Sequence, residues 1–381
     1  MTHADLVACQ SSVGDLLKRL KDKGYTIVLV GSVGAVPAIA ASTLMWEAVE
    51  PFREHIDSVR TASGSGVPLS LATTGVPAEY IRRELGKLQI RDVIDDIGFF
   101  AEHNKGGNFF QRMRDVKAYY VDAFRAGRRI MEHVTDFVGI IQGEAMQKLL
   151  ARFLISDQFL HTKPTLEVVA TRDPQLSRHI FSHELTPHVP ISRAVVASCA
   201  MRTIFSIQHI DGQGYIDAAQ NDPVPLESVV EDHIRKGGDP QKLFILGTFV
   251  HTLDRRFNSS PNLFGRREHY DRGMNEALFY YQKRMIQYQG ISHVIFEFDA
   301  AHVSLPRAEP FLEFPVLGPS LSGMRKLFAT LTHRESVERF LRSISHLLYE
   351  QINLQHLPFY FEAFEHRFRE KAEKHISPLL C

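Results

Sequence analysis

The chain has 381 residues, 44% hydrophobic and 23% charged, a composition suited to a packed globular protein. Lys and Arg number 44, as do Asp and Glu, so no net field draws the chain to nucleic acid, which is not an expected partner. The three cysteines, Cys9, Cys199 and Cys381, are too few and too scattered for a disulfide framework or a cysteine-built zinc site.

Met1-Thr2-His3-Ala4-Asp5 shows no basic segment followed by an apolar one, so no signal peptide is expected. No apolar run reaches the ~18 residues of a membrane span. The expectation is a cytoplasmic protein, peripheral to a membrane at most, with export by a signal-less route left open. The length accommodates one large α/β domain with an extension, or two domains.

In chain order, Leu16 to Gly24 reads as a helix stopped by glycine, followed by the short β-branched run Tyr25–Val30. A run apolar at every position is buried on both faces, as a central parallel strand is. Gly31-Ser32-Val33-Gly34 breaks it, and a helix with Leu44, Ala48, Val49 and Phe52 on one face follows. Asp57–Thr61 reads as a second strand entering the small-residue cluster Ala62-Ser63-Gly64-Ser65-Gly66, then a helix to Gly75.

From about 109 to 154 apolar residues recur at helical spacing. Strands return at Leu166–Ala170 and near His179-Ile180-Phe181, a short helix at Ala194–Ala200, a strand end at Tyr215-Ile216-Asp217 and a core strand at Leu243–Leu246. Beyond about 265 helical patterns dominate, interrupted by Val294-Ile295-Phe296. No linker parts Ser63 from about Gly247, so these strands are expected in one sheet.

A serine between a buried strand and a helix, among residues with almost no side chain, suits a nucleophile. The chain must reverse sharply there, and the hydroxyl meets unpaired amides at a helix start. Both Ser63 and Ser65 fit. Ser65 places Pro68 in the first helical turn, where proline is tolerated; Ser63 is favoured by the comparison that follows.

Three segments between Ile27 and about Gly247 resemble the patatin-like phospholipase family. Ala62–Val76 is similar to its G-x-S-x-G turn and a helix ending in glycine about twelve residues after the serine, which fits Ser63 and Gly75. Pro164–Thr171 resembles its internal strand after a proline. Arg193–Met201 is similar to the family's A-V-x-A-S-x-A helix, and Ile210–Leu226 to the hairpin and the Y-x-D-G-G…N-x-P-V-P segment carrying the catalytic aspartate. The departures are Thr61 and Ser65 where the turn has glycines, Ala218-Ala219 after the aspartate, and no Arg or Lys in Gly31–Val36.

The resemblance implies a three-layer α/β/α domain with a mostly parallel sheet, taken as residues 1–264. The helical patterns beyond it, which the resemblance does not cover, read as a largely helical extension over 265–381, separate or packed on the first part as one domain. It implies a lipid acyl hydrolase of phospholipase A or lysophospholipase type without cofactor or metal, with Ser63 as nucleophile and Asp217 as base. Gly31, Ser32, Val33 and Gly34 would supply the oxyanion donors. Val33 retains its N–H, although its Cβ hinders an inward turn of the loop. The altered glycines favour an alternative, a weak or inactive relative that binds lipid or a partner.

Asp211 is a rival aspartate, read as a hairpin residue. The aromatic pieces Phe279-Tyr280-Tyr281 and Leu357–Phe361 are candidate lipid contacts, read first as helix faces packed on the core. His183–His188 is one residue too long for H-E-x-x-H and contains Pro187, so a zinc site is not expected.

Overall fold

The computed structural model of the protein describes residues 3–88, 92–93, 141–202, 204–253, 263–305 and 353–380. The helical periodicity expected over 109–140 lies outside the described residues.

Helices α1 (His3–Asp22), α2 (Ala35–Val49), α3 (Gly66–Thr73) and α4 (Ala78–Leu85) alternate with strands β1 (Thr26–Gly31) and β2 (Ser58–Ala62). Next come α5 (Glu144–Phe153), β3 (Thr165–Asp173), β4 (Ser177–Ser182), α6 (Ile191–Ser198), β5 (Gln208–Ile210) and β6 (Gln213–Ile216). The chain continues through α7 (Leu226–Arg235), β7 (Leu243–His251), α8 (Leu263–Tyr288) and β8 (Ser292–Asp299) to α9 (Leu357–Leu380).

The strands form one sheet whose hydrogen-bonded neighbours run β5-β6-β3-β2-β1-β7-β8, with β4 also paired to β3. Contacts from β3 through β2, β1 and β7 to β8 are parallel, while β4 and β6 meet β3 antiparallel. The apolar run at 294–296 is the middle of β8, so residues beyond 265 supply a strand to this same sheet.

Strand side chains alternate between two cores, the period-2 consequence of the pleat. Ile27 and Leu29 of β1, with Phe244 and Leu246 of β7, face a core shared with Leu17, Trp46 and Phe364 of α1, α2 and α9. Val28, Val30, Leu243 and Ile245 face the opposite side, under Val229 of α7 and Phe279 and Ile286 of α8. Helices therefore cover both faces, as a mostly parallel sheet requires. α2 is buried at nearly every position because the sheet, α1, α3 and α9 enclose it.

Of the two aromatic pieces, Phe279 stacks on Phe249 at 3.8 Å, and Leu357, Tyr360 and Phe361 are core residues. Tyr280, Tyr281 and Phe359 are exposed.

Candidate active site

β2 ends at Ala62, and Ser63 turns the chain at φ 54. This left-handed conformation strains any residue with a Cβ, and such strain concentrates at functional sites. A 3₁₀ turn over Ser63–Ser65 hands the chain to α3 at Gly66, which leaves Pro68 in the first turn of that helix, where its missing N–H is no loss. Gly64 admits no side chain: a Cβ there would lie 2.3 Å from the carbonyl oxygen of Ala35. The two candidate serines part company here. Ser65 Oγ donates to the Ala62 carbonyl at 2.8 Å and accepts the Ala62 N–H at 3.2 Å, binding the turn to itself. Ser63 Oγ donates instead to Asp217 Oδ2 at 2.7 Å.

Sheet register explains how residues 154 positions apart meet. β4 occupies one edge of β3 from Glu167 to Arg172. β2 pairs β3 up to Ala62 opposite Val169, and β6 pairs it from Ile216 opposite Thr171. Since β4 overlaps both spans, β2 and β6 must share the other edge, one after the other. They run in opposite senses, so the residue after each strand, Ser63 or Asp217, arrives at the same level of β3.

Asp217 is 3% exposed. Its Oδ1 accepts the Ala219 N–H at 2.7 Å, its own N–H donates to the Ala200 carbonyl at 2.9 Å, and Thr171 Oγ1 donates to its carbonyl at 3.0 Å. Burial pushes its pKa up to about 6, against the hydrogen bonds from the Ala219 N–H and Ser63, which pull it down. Asp211 sits in the β5–β6 hairpin turn with Gly212, both at positive φ, and is hydrogen-bonded to His188 at 2.7 Å.

The loop after β1 lies against the turn at Ser63, as the Ala35–Gly64 approach requires. Gly31 closes β1, and Ser32 Oγ donates to the Val33 carbonyl at 2.9 Å. The Val33 N–H donates to the Pro223 carbonyl at 2.8 Å, so that amide is engaged by the segment following Asp217. Gly34, at φ 138, is the N-cap of α2, and Ala35 follows at φ 51. The first α2 amide bonded back along the helix is that of Ala38, to the Gly34 carbonyl at 3.3 Å. The Ala35 and Val36 amides precede it, at the positive end of the helix dipole.

The end of α6 contributes groups that sequence reasoning did not assign to the site. Ser198 Oγ accepts the Ser63 N–H at 2.7 Å and donates to the Val169 carbonyl at 2.5 Å. Cys199 is buried against the pair, and burial and the Asp217 carboxylate push its thiol pKa up. Their signal in the sequence was the A-S-x-A pattern, which carried the resemblance but suggested no role. Among the described residues no three His, Cys, Asp or Glu side chains gather to hold a metal. Nor is any helix there long and apolar enough to cross a membrane.

The sequence profile described as Patatin-like phospholipase matches residues 31–230, from the end of β1 through Ser63, Ser198, Asp217 and Pro223 to α7. The chain belongs to the patatin-like phospholipase family. Two solved proteins resemble this patatin-like chain at low identity. VipD from Legionella pneumophila is 13% identical, with a TM-score of 0.36 over 75% of this chain and 63% of that one. ExoU of the Pseudomonas aeruginosa type III secretion system, solved with SpcU, is 13% identical, with a TM-score of 0.29 over 70% of this chain and 52% of that one. A second ExoU structure is 14% identical, with a TM-score of 0.27 over 68% of this chain and 53% of that one. The patatin-like chain thus spans between about half and two thirds of those solved chains. No curated protein matches it.

Proposed function

We propose that the chain is a serine acyl hydrolase of phospholipids or lysophospholipids, with Ser63 as nucleophile and Asp217 as general base. The observation that carries this reading is the 2.7 Å hydrogen bond from Ser63 Oγ to Asp217 Oδ2. Ser63 Oγ attacks the ester carbonyl carbon as its proton passes to Asp217, and the proton then goes to the departing alcohol. Water, deprotonated by Asp217, cleaves the acyl-serine and restores the hydroxyl. An ordinary carboxylate is a weak base for a serine; burial of Asp217 makes it a stronger one.

The tetrahedral oxyanion falls to the loop Gly31-Ser32-Val33-Gly34 and the start of α2. With the Val33 N–H held by Pro223, the Gly34 and Ala35 amides are the proposed donors, each worth roughly a hundredfold or more in rate. Residues 263–305 and 353–380 belong, on this reading, to the catalytic domain, since β8 extends its sheet and α9 packs on α1 and α2. The exposed Tyr281 and Tyr288 of α8 are proposed contacts for a lipid surface.

Ser63→Ala is expected to abolish both release of fatty acid from labelled phospholipid and labelling by a fluorophosphonate. Ser65→Ala is expected to leave Ser63 labelling in place and lower stability by about 1 kcal/mol. Labelling that survives Ser63→Ala sinks the assignment. The engaged Val33 amide favours a second reading, a lipid-binding protein without turnover. Stoichiometric labelling of Ser63 in the unmutated chain rules against it.

A further inference from the structure

We propose that Ser198 is a positioning residue that holds Ser63 in its left-handed conformation and, with the Ala200 carbonyl, sets the distance between Ser63 and Asp217. The inference rests on the reading of Ser63 and Asp217 as nucleophile and base. When β2 ends, the Ser63 amide leaves the ladder inside the protein, and a buried N–H requires an acceptor. Ser198 Oγ supplies it at 2.7 Å and is itself fully buried. The hydroxyl has one proton, committed to the Val169 carbonyl at 2.5 Å. An oxygen lone pair is thereby fixed toward Ser63 rather than free to rotate.

Val169 is the register partner of Ala62, the residue before the nucleophile. The Ser198 hydroxyl therefore stands between β2 and β3 at the point where they part, taking the amide of one and giving to the carbonyl of the other. Two residues on, the Ala200 carbonyl receives the Asp217 N–H at 2.9 Å. One turn of chain at the end of α6 thus grips the backbone of both reacting residues, from which the 2.7 Å contact between their side chains follows. The same bond withdraws the Ser63 amide from the oxyanion donors, leaving that work to the start of α2.

The test uses the full chain with Ser198→Ala, which deletes the hydroxyl, and Ser198→Thr, which keeps it. A soluble ester and a fluorophosphonate report on chemistry, and amide hydrogen exchange at Ser63 reports on the bond without any need for activity. In Ser198→Ala, labelling of Ser63 is expected to slow by about tenfold to a hundredfold, with the loss in kcat and KM within about twofold. Exchange at the Ser63 amide is expected to quicken at least about tenfold, and Ser198→Thr to restore both readouts to within about threefold of the unmutated chain. Wild-type labelling and unchanged exchange in Ser198→Ala overturn the proposal. So does a Thr variant that folds yet loses as much as the Ala variant; if it does not fold, exchange in the Ala variant decides. Should the unmutated chain show no Ser63-dependent chemistry, the hydrolase reading fails on its own. Accelerated exchange in Ser198→Ala would still support the clamp, and unchanged exchange would still overturn it.

Discussion

Asp217 is an ordinary carboxyl group made unusual by its surroundings. Its pKa rises from 3.8 to about 6 because burial strips water from the charge faster than the Ala219 amide and the Ser63 hydroxyl replace it. The folded state therefore keeps a proton that the unfolded chain releases. Stability falls as pH rises through the window from about 4 to about 6, and the cost is fully present above it. At pH 7 that cost is on the order of 3 kcal/mol, so Asp217→Asn is expected to raise the melting temperature there, with a gain that shrinks toward pH 4. Asp222, also raised to about 6 by burial, titrates in the same range, which is why comparison with the variant isolates Asp217. Ester hydrolysis by the unmutated chain is expected to fall below about pH 6, where Asp217 holds its proton. A rate profile flat from pH 5 to 8 contradicts a carboxylate base.

Among the elements, the turn from β2 into α3 is shaped by its neighbour α2. Gly64 is required because Ala35 presents backbone there, and a backbone atom cannot swing aside as a side-chain tip can. Gly64→Ala is expected to lower stability by about 1–3 kcal/mol, as overpacking does. It is also expected to reduce Ser63 labelling, by moving the start of α2 off Ser63. Urea denaturation and labelling rate check the two effects separately. A variant as stable and as reactive as the unmutated chain would mean that the two elements do not bear on one another. The absence of glycine at 65 has its reason in the same turn: the Ser65 hydroxyl ties both ends of it to Ala62.

At the scale of the whole molecule, an ion cluster fastens the sheet to its outer helix. Arg60 on β2, 2% exposed, bonds Glu167 on β3 through Nε at 2.7 Å and Asp232 on α7 through Nη2 at 2.6 Å. Removing the cation leaves the buried Glu167 carboxylate without its partner, while Asp232 keeps Arg235. Arg60→Ala is expected to cost about 3–5 kcal/mol by denaturant unfolding, and the double variant with Glu167→Gln to recover part of it. Additive losses would show that the pair does not act as a unit. On the same face of the sheet, His251 at the end of β7 lies between Glu276 of α8 and Glu297 of β8, which brings late chain into the same body.

Much of this is legible in the sequence. Periodicity and small-residue clusters located β1, β2, β3 and β7, the turn at Ser63, the hairpin at Asp211-Gly212 and the strand end at Asp217, because burial and turn chemistry leave a mark on each residue separately. Matching the family's motif favours Ser63 over Ser65 as the proposed nucleophile. Strand pairing leaves no such mark. That β2 and β6 share one edge of β3, that residues 292–299 extend the sheet, that Pro223 holds the Val33 amide and that Ser198 holds the Ser63 amide depend on which groups become neighbours after folding. A backbone N–H or a serine hydroxyl reads the same in the chain whatever it will bond, and only packing selects its partner.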